Sequence, residues 1–556
     1  GNDAKGFFQY QGSGSDYTGW DTSEVLAGFV NTYALANSTG YYDTRTYEMG
    51  YFVQDDWKIA PHLTLNLGVR YDLYNFPEEV NNQQSNFNIA TGALDVAGKN
   101  GNSRSLVNTP KTNFAPRIGF AWDVFGDSKT ALRGGYGIYY FLDRGGVSNE
   151  LNNNPDFNGT SSYSDYAGYR IALSGQTSVM QPNSSTPGPY AVNNSTTATA
   201  PLPLPAGSSI NEAAPTNANV ISYPVNSRIP TIQQYNLSLQ QQIAKNTTVT
   251  ISYVGTKADH LLASLNYSGP QLVTGTQFFH AQGLNVTEDL FEGESHYNGL
   301  QTSLNRRLAN GLQVTAAYTW SHNTDNVPDA YSGGNQSPVP VTAAGPQLSL
   351  NHGNADDDQR HAATFSALIE VPYGRGRRYG ASINKGLDYL AGGWQFSPFV
   401  SIGSGTPFDI VAPGSPTDNV IVRPDLVGTP HTGLIKNYAN VTGTGFTYLN
   451  SSAFAAPPLN AAGVYSRVGT VGRNQFYAPG YNTTGLSIFK DIPITGRVTS
   501  QLRGQAYNLF NHPQFGNPVY DYSGSNLIDA VDSNVTVNTT RFRSARQVEL
   551  AYRVTF

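Results

Sequence analysis

Three consecutive carboxylates, Asp356, Asp357 and Asp358, form the clearest cluster of side chains able to bind a metal ion. Hard cations such as Ca²⁺ prefer several oxygen ligands, which makes the cluster a calcium candidate. A solvated acidic entry to a strand is the simpler interpretation of the same residues. His361 follows closely, and we interpret it as a hydrogen-bonding residue at the rim of the fold and not as a ligand.

Other side chains with catalytic potential are scattered. The histidines form no His-x-x-x-His pair and no close His/Glu pair of the kind used in metal sites. Ser321, His322 and Asn323 are consecutive, so in a strand their side chains alternate between faces and cannot converge as a triad. The chain has no cysteine, which excludes disulfides and thiolate chemistry. We therefore expect no enzyme activity, no cofactor and, apart from the calcium candidate, no metal.

The composition indicates a membrane β-barrel. Only 13% of the 556 residues are charged, about half the usual share for a soluble protein. No run of apolar residues is as long as a transmembrane helix requires, which is about 18 residues. With a net charge of -6 and no long basic stretch, we expect no nucleic-acid partner. An apolar outer band, a polar lumen and long polar loops would account for the low charge and the abundant Asn, Gly and Tyr.

Alternation of apolar and polar residues recurs along the chain in segments of strand length. The clearest segment holds Leu63, Leu65, Leu67, Val69 and Tyr71, which predicts a strand longer than those of most soluble sheets. Counting a weaker first strand at Phe7–Tyr10, the pattern predicts about 14 strands. An even number would place both termini on the periplasmic side.

The connections between these strands alternate between short and long, as in a barrel with periplasmic turns and extracellular loops. The predicted short connections are 58–62, 126–129, 244–246, 309–311 and 493–496, with a longer one near 373–391. The predicted long connections are 77–112, 142–230, 258–295, 324–358, 405–480 and 512–543. The fold class is therefore all-β, an antiparallel transmembrane barrel, with no domain boundary within 1–556.

The charged residues of the strands fall on the polar face. On the lipid side an arginine at mid-depth costs about 2–4 kcal/mol, so we place these residues in the lumen, as candidates for substrate binding. They are Arg70, Asp72, Arg117, Arg133, Arg307, Arg503, Glu549 and Arg553. Aromatic residues near strand ends predict a girdle at the membrane interfaces. These are Trp57, Tyr71, Tyr74, Phe76, Tyr139, Tyr140, Phe141, Trp320 and Phe510.

The last strand resembles the signal read by the barrel-assembly machinery. Its outward residues would be Val548, Leu550, Tyr552, Val554 and the terminal Phe556. A closed barrel would need this strand to pair with Phe7–Tyr10. Because that first segment is short and irregular, we expect an open seam.

Eight segments, in family order, resemble Oar-like TonB-dependent outer-membrane transporters. They are FVQDDWKIAPHLTLNLGVRYD from Phe52, NFAPRIGFAWDVFG from Asn113, LRGGYGIYY from Leu132, QQYNLSLQQQIAKNTTVTISYVGTKADHL from Gln233, YNGLQTSLNRRLANGLQVTAAYTWSH from Tyr297, DDQRH from Asp357, GWQFSPFVSIGSGTPF from Gly393 and YNLFNHPQFGNP from Tyr507.

The resemblance implies uptake of a bulky nutrient such as an oligosaccharide, peptide or metal chelate, driven by a TonB partner. It also implies an N-terminal plug and a small regulatory-like domain, neither of which we find in 1–556. Plugged transporters have about 22 strands, so we expect this chain to be the C-terminal part of such a barrel. The expected partners are outer-membrane lipid, the barrel-assembly machinery, the TonB system through the missing plug, and an unknown extracellular ligand. A structural, adhesive or protein-export role is the alternative, and a passive pore is the third.

Overall fold

The computed structural model describes the greater part of the chain. The described residues are 42–142, 150–155, 157, 218–268, 271–274, 276–327, 339, 341–343, 345–410, 422–430, 449, 451–461, 463–494, 498–512, 514 and 545–555, with the backbone of a few strands outside these ranges. No helix among them is long and apolar enough to cross a membrane.

Thirteen strands of the described chain follow one another, each paired antiparallel with the next, in one sheet. They are β1 (Glu48–Ala60), β2 (Leu63–Tyr74), β3 (Phe114–Asp123), β4 (Thr130–Tyr140), β5 (Thr231–Ala244), β6 (Thr247–Asn266), β7 (Asn285–Ala309), β8 (Leu312–Asp325), β9 (His361–Glu370), β10 (Trp394–Gly403), β11 (Tyr481–Pro493), β12 (Thr499–Tyr507) and β13 (Gln547–Thr555). The predicted all-β antiparallel architecture is confirmed.

The alternation of short and long connections is also confirmed. Asn310 and Gly311 join β7 to β8 with φ of 53° and 74°, the left-handed conformations that a tight type I′ turn requires. The connection from β9 to β10 is the longest on the short side. It contains the helix α1 (Lys385–Ala391), capped by the Asn384 side chain, which accepts a hydrogen bond of 2.8 Å from the Leu387 N–H. The strand pattern did not predict this helix.

The first predicted strand was assigned wrongly. Phe7–Gln9 pairs with Thr32–Ser38, which pairs in turn with Asn158–Ser164 in a separate three-stranded sheet. The wall therefore has thirteen described strands, and β1 begins at the end that carries the long connections. No strand of the described chain pairs with the outer edge of β1 or of β13, and the open seam stays a prediction.

The described residues of the long connections form a folded layer at the end of the sheet opposite the short turns. Its largest core includes Phe76, Val107, Leu151 and Ile229, and it reaches Phe291 at the far end of β7. A second core lies within 404–480. Short strands support the layer: Thr44–Arg45, Glu78–Glu79, Ser85–Asn88, Ala93–Val96, Asn219–Ser222, Val341–Thr342, Gly345–Pro346, Gly353–Asn354, Pro407–Phe408, Asp425–Leu426, Phe454–Ala455 and Phe476–Tyr477.

These cores correct the predicted girdle. Tyr74 and Phe76 are only 7% and 2% exposed, because they pack inside the loop layer. Trp57 and Trp320 lie on the apolar face and are more than half exposed, as the girdle prediction requires. Isolated apolar residues in a loop show no periodic pattern. From the sequence alone, burial of Tyr74 and Phe76 inside the loop layer therefore could not be distinguished from a position at the membrane interface.

Candidate functional site

Strand register places the predicted lumen residues on one face of the sheet. Direct cross-strand partners point to the same side of a sheet. Arg117 lies opposite Gly68 and Gly137, while Arg70 and Arg133 occupy neighbouring positions of the same face. On the other face lie residues such as Leu67, Ile118, Tyr136 and Leu237. The division into a polar and an apolar face therefore follows the sequence pattern.

The structure separates the candidates into groups. Arg70, Asp72, Arg117 and Arg133 lie together on β2–β4, whereas Arg503, Glu549 and Arg553 lie on β12 and β13 near the opposite end of the strand order. Arg307 lies next to the short turn after β7, and its backbone N–H donates to Asn246. Arg503 lines an apolar groove across β10–β13, and of the group on β2–β4 only Arg117 lines a cavity among the described residues.

That cavity is a groove of about 250 Å³ on the polar face across β1–β5, called the glycine groove below. Its floor is backbone, since Gly68, Gly119, Gly135 and Gly137 lie on adjacent strands. Its polar rim is formed by Gln54, Asn66, Arg117, Gln234 and Asn236. The amide and guanidinium groups supply many hydrogen-bond donors for a ligand.

Tyr139 completes the groove because Gly137 leaves room for its ring. A Cβ atom on Gly137 would lie 3.1 Å from the Tyr139 hydroxyl oxygen and 3.2 Å from the nearest ring carbon. The Arg117 guanidinium carbon lies 4.6 Å from the centroid of this ring, a cation–π distance. The missing side chain of Gly137 therefore gives the Tyr139 ring its place, and the ring in turn positions the Arg117 guanidinium over the groove.

The arginines of this group differ in their partners. Arg70 forms an ion pair of 2.7 Å with the buried Asp72, and Arg133 donates to the Gln240 side chain at 2.6 Å. Among the described residues, no carboxylate pairs with Arg117. In this part of the chain, the Arg117 guanidinium therefore differs from those of Arg70 and Arg133 in having no side-chain hydrogen bond or ion pair.

The predicted calcium cluster lies in the loop layer, and its three carboxylates point to different partners. Asp356 accepts from Arg473 and Asn474, Asp357 accepts from Asn323 at 2.9 Å, and Asp358 accepts from Tyr477 at 2.6 Å. In the described chain, no group of three or more acidic or histidine side chains could hold a metal ion. Calcium binding remains a prediction that this arrangement does not favour.

The residues considered for catalysis are also separated. His361 Nδ1 lies 2.9 Å from the Tyr318 hydroxyl, as a rim hydrogen bond requires. The Ser321 hydroxyl donates to the Gln359 carbonyl, and His322 Nε2 lies 3.0 Å from the Asn354 side-chain oxygen. Ser321 and His322 therefore bind different residues of the connection before β9 and not each other.

A buried carboxylate in the loop layer was missed by the sequence reasoning. Asp289 is fully buried on the part of β7 that projects beyond the membrane, and the Ser264 and Tyr223 hydroxyls lie next to its carboxylate. Burial raises its pKa to about 7, against the lowering effect of the Ser264 and Tyr223 hydroxyls, with Glu150 and Glu288 adding repulsion. No local pattern marks such a residue, because its environment comes from distant loops.

The residues of the predicted assembly signal lie on the apolar face of the last strand. Val548, Leu550 and Tyr552 are 67%, 83% and 61% exposed, and Val554 continues the same face. Phe556 lies outside the described residues. Recognition of this strand by the barrel-assembly machinery remains a prediction.

Comparison with known proteins identifies one family. The family described as "Outer membrane beta barrel domain" matches residues 1–549. No curated protein is significantly similar to the chain in sequence.

Among solved structures, the chain is similar to the outer membrane transporter YddB from Escherichia coli, at 11% identity and a TM-score of 0.42, over 92% of this chain and 45% of that one. It is similar to the FrpB iron transporter from Neisseria meningitidis, at 9% identity and a TM-score of 0.39, over 93% and 46% of the two chains. It is also similar to the receptor FpvA from Pseudomonas aeruginosa, bound to heterologous pyoverdines, at 9% identity and a TM-score of 0.39, over 93% of this chain and 39% of that one. The chain thus spans less than half the length of these three structures.

Proposed function

The chain belongs to the outer membrane β-barrel family, and from this premise we propose that it is a transport barrel for a bulky nutrient. The substrate classes are an oligosaccharide, a peptide or a metal chelate. The barrel lies in the bacterial outer membrane, with its apolar face toward lipid. Residues 1–556 would be the C-terminal part of a TonB-dependent transporter, energised through an N-terminal plug and inserted by the barrel-assembly machinery.

The observation that carries the proposal is the glycine groove with Arg117 above it. A guanidinium without a carboxylate partner attracts anionic or strongly hydrogen-bonding groups. Tyr139 adds an aromatic face, and the amides of Gln54, Asn66 and Asn236 add directional hydrogen bonds. This combination suits a polar ligand with an anionic or hydroxyl-rich surface.

Uptake by whole cells tests this proposal. A strain lacking the gene would be complemented with wild type, R117Q or the control K245Q, which removes a positive charge in a short turn far from the groove. Maltooligosaccharides, oligopeptides and ferric chelates would be supplied in turn. A hydrogen bond to a charged group contributes about 1.5–3 kcal/mol, so R117Q should raise the half-saturating concentration by about 10- to 100-fold, while K245Q should leave it nearly unchanged. Equal effects of both substitutions would argue against the groove.

Energy dependence separates an importer from the other classes. Uptake through a TonB-dependent barrel should stop when a protonophore collapses the proton gradient. A passive pore would continue to admit the same solutes and would conduct ions in a planar bilayer. No energised uptake of any tested solute, together with binding of cells to a surface partner, would favour the structural or adhesive alternative.

Orientation is a separate proposal. The connections 142–230 and 405–480 should face the outside, and the turn at Lys58–His62 should face the periplasm. Protease added to intact cells should therefore cut in the long connections. Cleavage confined to the short turns would reverse the orientation.

A further inference from the structure

The connection between β9 and β10, residues 371–393, is a basic and partly apolar segment at the end of the wall that carries the short turns. It contains Arg375, Arg377, Arg378 and Lys385 but only one acidic residue, Asp388. It also contains the helix α1. We call this segment the rim segment.

Two side chains of the apolar wall hold the end of α1 on the lipid side of the sheet. Trp394 and Lys490 are cross-strand partners whose neighbours on the same face include Leu502. Trp394 Nε1 donates to the Leu390 carbonyl at 2.8 Å, and Lys490 donates to the Gly392 carbonyl. Because both side chains extend from the apolar face, the C-terminal end of α1 lies outside the barrel wall and not beneath the lumen.

The free side of α1 is apolar. Leu387 is 54% exposed, Tyr389 45% and Leu390 72%, so the helix leaves large apolar side chains uncovered where the wall ends. The lipid-facing wall continues beside it as an apolar groove of about 450 Å³ lined by Ile488, Leu502 and Leu550. The apolar side of the rim segment is therefore continuous with the surface that lipid covers.

We propose that the rim segment binds anionic phospholipid of the periplasmic leaflet, with α1 lying in the membrane interface. Short helices with exposed leucines and neighbouring basic residues lie in the interface and bind anionic headgroups. The assignment to this leaflet rests on the proposed orientation, which places the short connections in the periplasm.

The basic residues of the rim segment are unequal. Arg377 forms a 3.0 Å ion pair with Glu370, so its charge is partly neutralised. Arg378 stacks on Tyr379, with its guanidinium carbon 5.4 Å from the ring centroid. Arg375 and Arg378 are therefore the residues to remove in a test. Each basic residue near an anionic surface strengthens association about five-fold, so the double variant should lose about 25-fold.

Because the chain contains no cysteine, Leu390→Cys gives a single site for a fluorescent label. The labelled protein would be reconstituted in vesicles of equal parts phosphatidylcholine and phosphatidylglycerol, with a trace of one lipid carrying a nitroxide quencher. Nitroxide phosphatidylglycerol should quench the label more strongly than nitroxide phosphatidylcholine. In R375Q/R378Q the preference should fall by about 25-fold, whereas K245Q, in another short turn, should leave it unchanged. A label at Leu459→Cys, in the loop layer, should be quenched by neither lipid.

Equal quenching by the two lipids, or an unchanged preference in R375Q/R378Q, would overturn the proposal. A second measurement tests the orientation of the barrel independently of lipid binding. In intact cells, a membrane-impermeant maleimide should not reach Leu390→Cys but should reach Leu459→Cys. Labelling of position 390 from outside would overturn the assignment to the periplasmic leaflet, while uptake through the barrel would still be tested by R117Q.

Discussion

Replacing Asp289 with asparagine should stabilise the loop layer at alkaline pH. Asparagine has nearly the shape of a protonated aspartic acid and cannot ionise. In the wild type, Asp289 is fully buried, and the cost of burying its charge exceeds the stabilisation by the neighbouring hydroxyls, so its charged form is unfavourable in the folded layer. A membrane-spanning strand needs about 9–11 residues, and counted from the turn at Asn310 these end near Gly299. Asp289 therefore lies well outside the membrane.

The size of the effect follows from the pKa shift. The pKa rises from 3.8 in the unfolded chain to about 7 in the folded layer, and each unit corresponds to about 1.4 kcal/mol. Because the folded pKa is the higher one, the folded layer binds more protons between these values, and its stability falls as pH rises through this window. The loss is complete above pH of about 7 and amounts to at most about 4 kcal/mol. D289N should remove this loss at pH 8 and change little near pH 4.

Hydrogen exchange of the amides of Asn285–Phe291, corrected for intrinsic rates, reports the free energy of local opening. In the wild type this free energy should fall between pH 5 and pH 8, and in D289N it should fall less. Burial also raises the pKa of Glu288 to about 7, with a contribution from Glu292, so D289N/E288Q should be flatter still. D127N, in an exposed turn at the other end of the barrel, is the control. If D289N opens more readily than wild type at pH 8, or if wild-type opening is independent of pH, the reasoning is wrong.

Three further predictions concern the layer, the groove and assembly. Arg423→Met should leave Asp409 without the guanidinium that it binds at 2.7 Å; removing one partner of a buried pair costs about 3–5 kcal/mol, so protease should cut 404–480 faster in intact cells. Gly137→Val should displace the Tyr139 ring and abolish ligand uptake while the heat-modifiable folded band on gels stays normal; loss of that band would mean that the wall itself is disrupted. Deleting Phe556 should reduce outer-membrane insertion far more than synthesis, and unchanged insertion would remove the assembly-signal interpretation.

The wall could be predicted from the sequence because lipid imposes a strict pattern on it. Where one face meets hydrocarbon and the other meets water, apolar residues recur at every second position. Leu63–Tyr71 shows this pattern, and β2 follows it from Leu63 to Tyr74. Phe7–Tyr10 has too few residues for the pattern to be tested, and there the prediction was wrong.

The loop layer and the glycine groove could not be predicted, for two different reasons. The core of the layer joins Phe76, Ile229 and Phe291, which are far apart in sequence and follow no period. The groove depends on register, since Arg117 and Gly137 are opposite each other only because β3 and β4 pair as they do. From sequence alone, Gly134, Gly135 and Gly137 indicate only a tightly curved wall.

Glycines covered by aromatic rings recur across the wall. The pairing of Gly137 with Tyr139 in the groove is therefore one case of a recurrent packing arrangement. The Phe120 ring covers Gly134, the Tyr235 ring covers Gly255 and the Tyr481 ring covers Gly403, each from the directly opposite position on the next strand. An aromatic ring placed over a cross-strand glycine restores the packing that the glycine lacks.

At Gly137 the ring comes instead from Tyr139 on the same strand. The opposite position is thereby left to Arg117, and the backbone of Gly68 and Gly119 remains open beside it. The arrangement that fills the wall at Gly134, Gly255 and Gly403 is absent at Gly137, which lies in a recess with a cation at its rim. Because that recess is built on hydrogen-bonded strands, its shape is set by the ladder and not by the loops above it. A substitution in the loop layer such as D289N should therefore alter access to the groove without altering its affinity for a bound group.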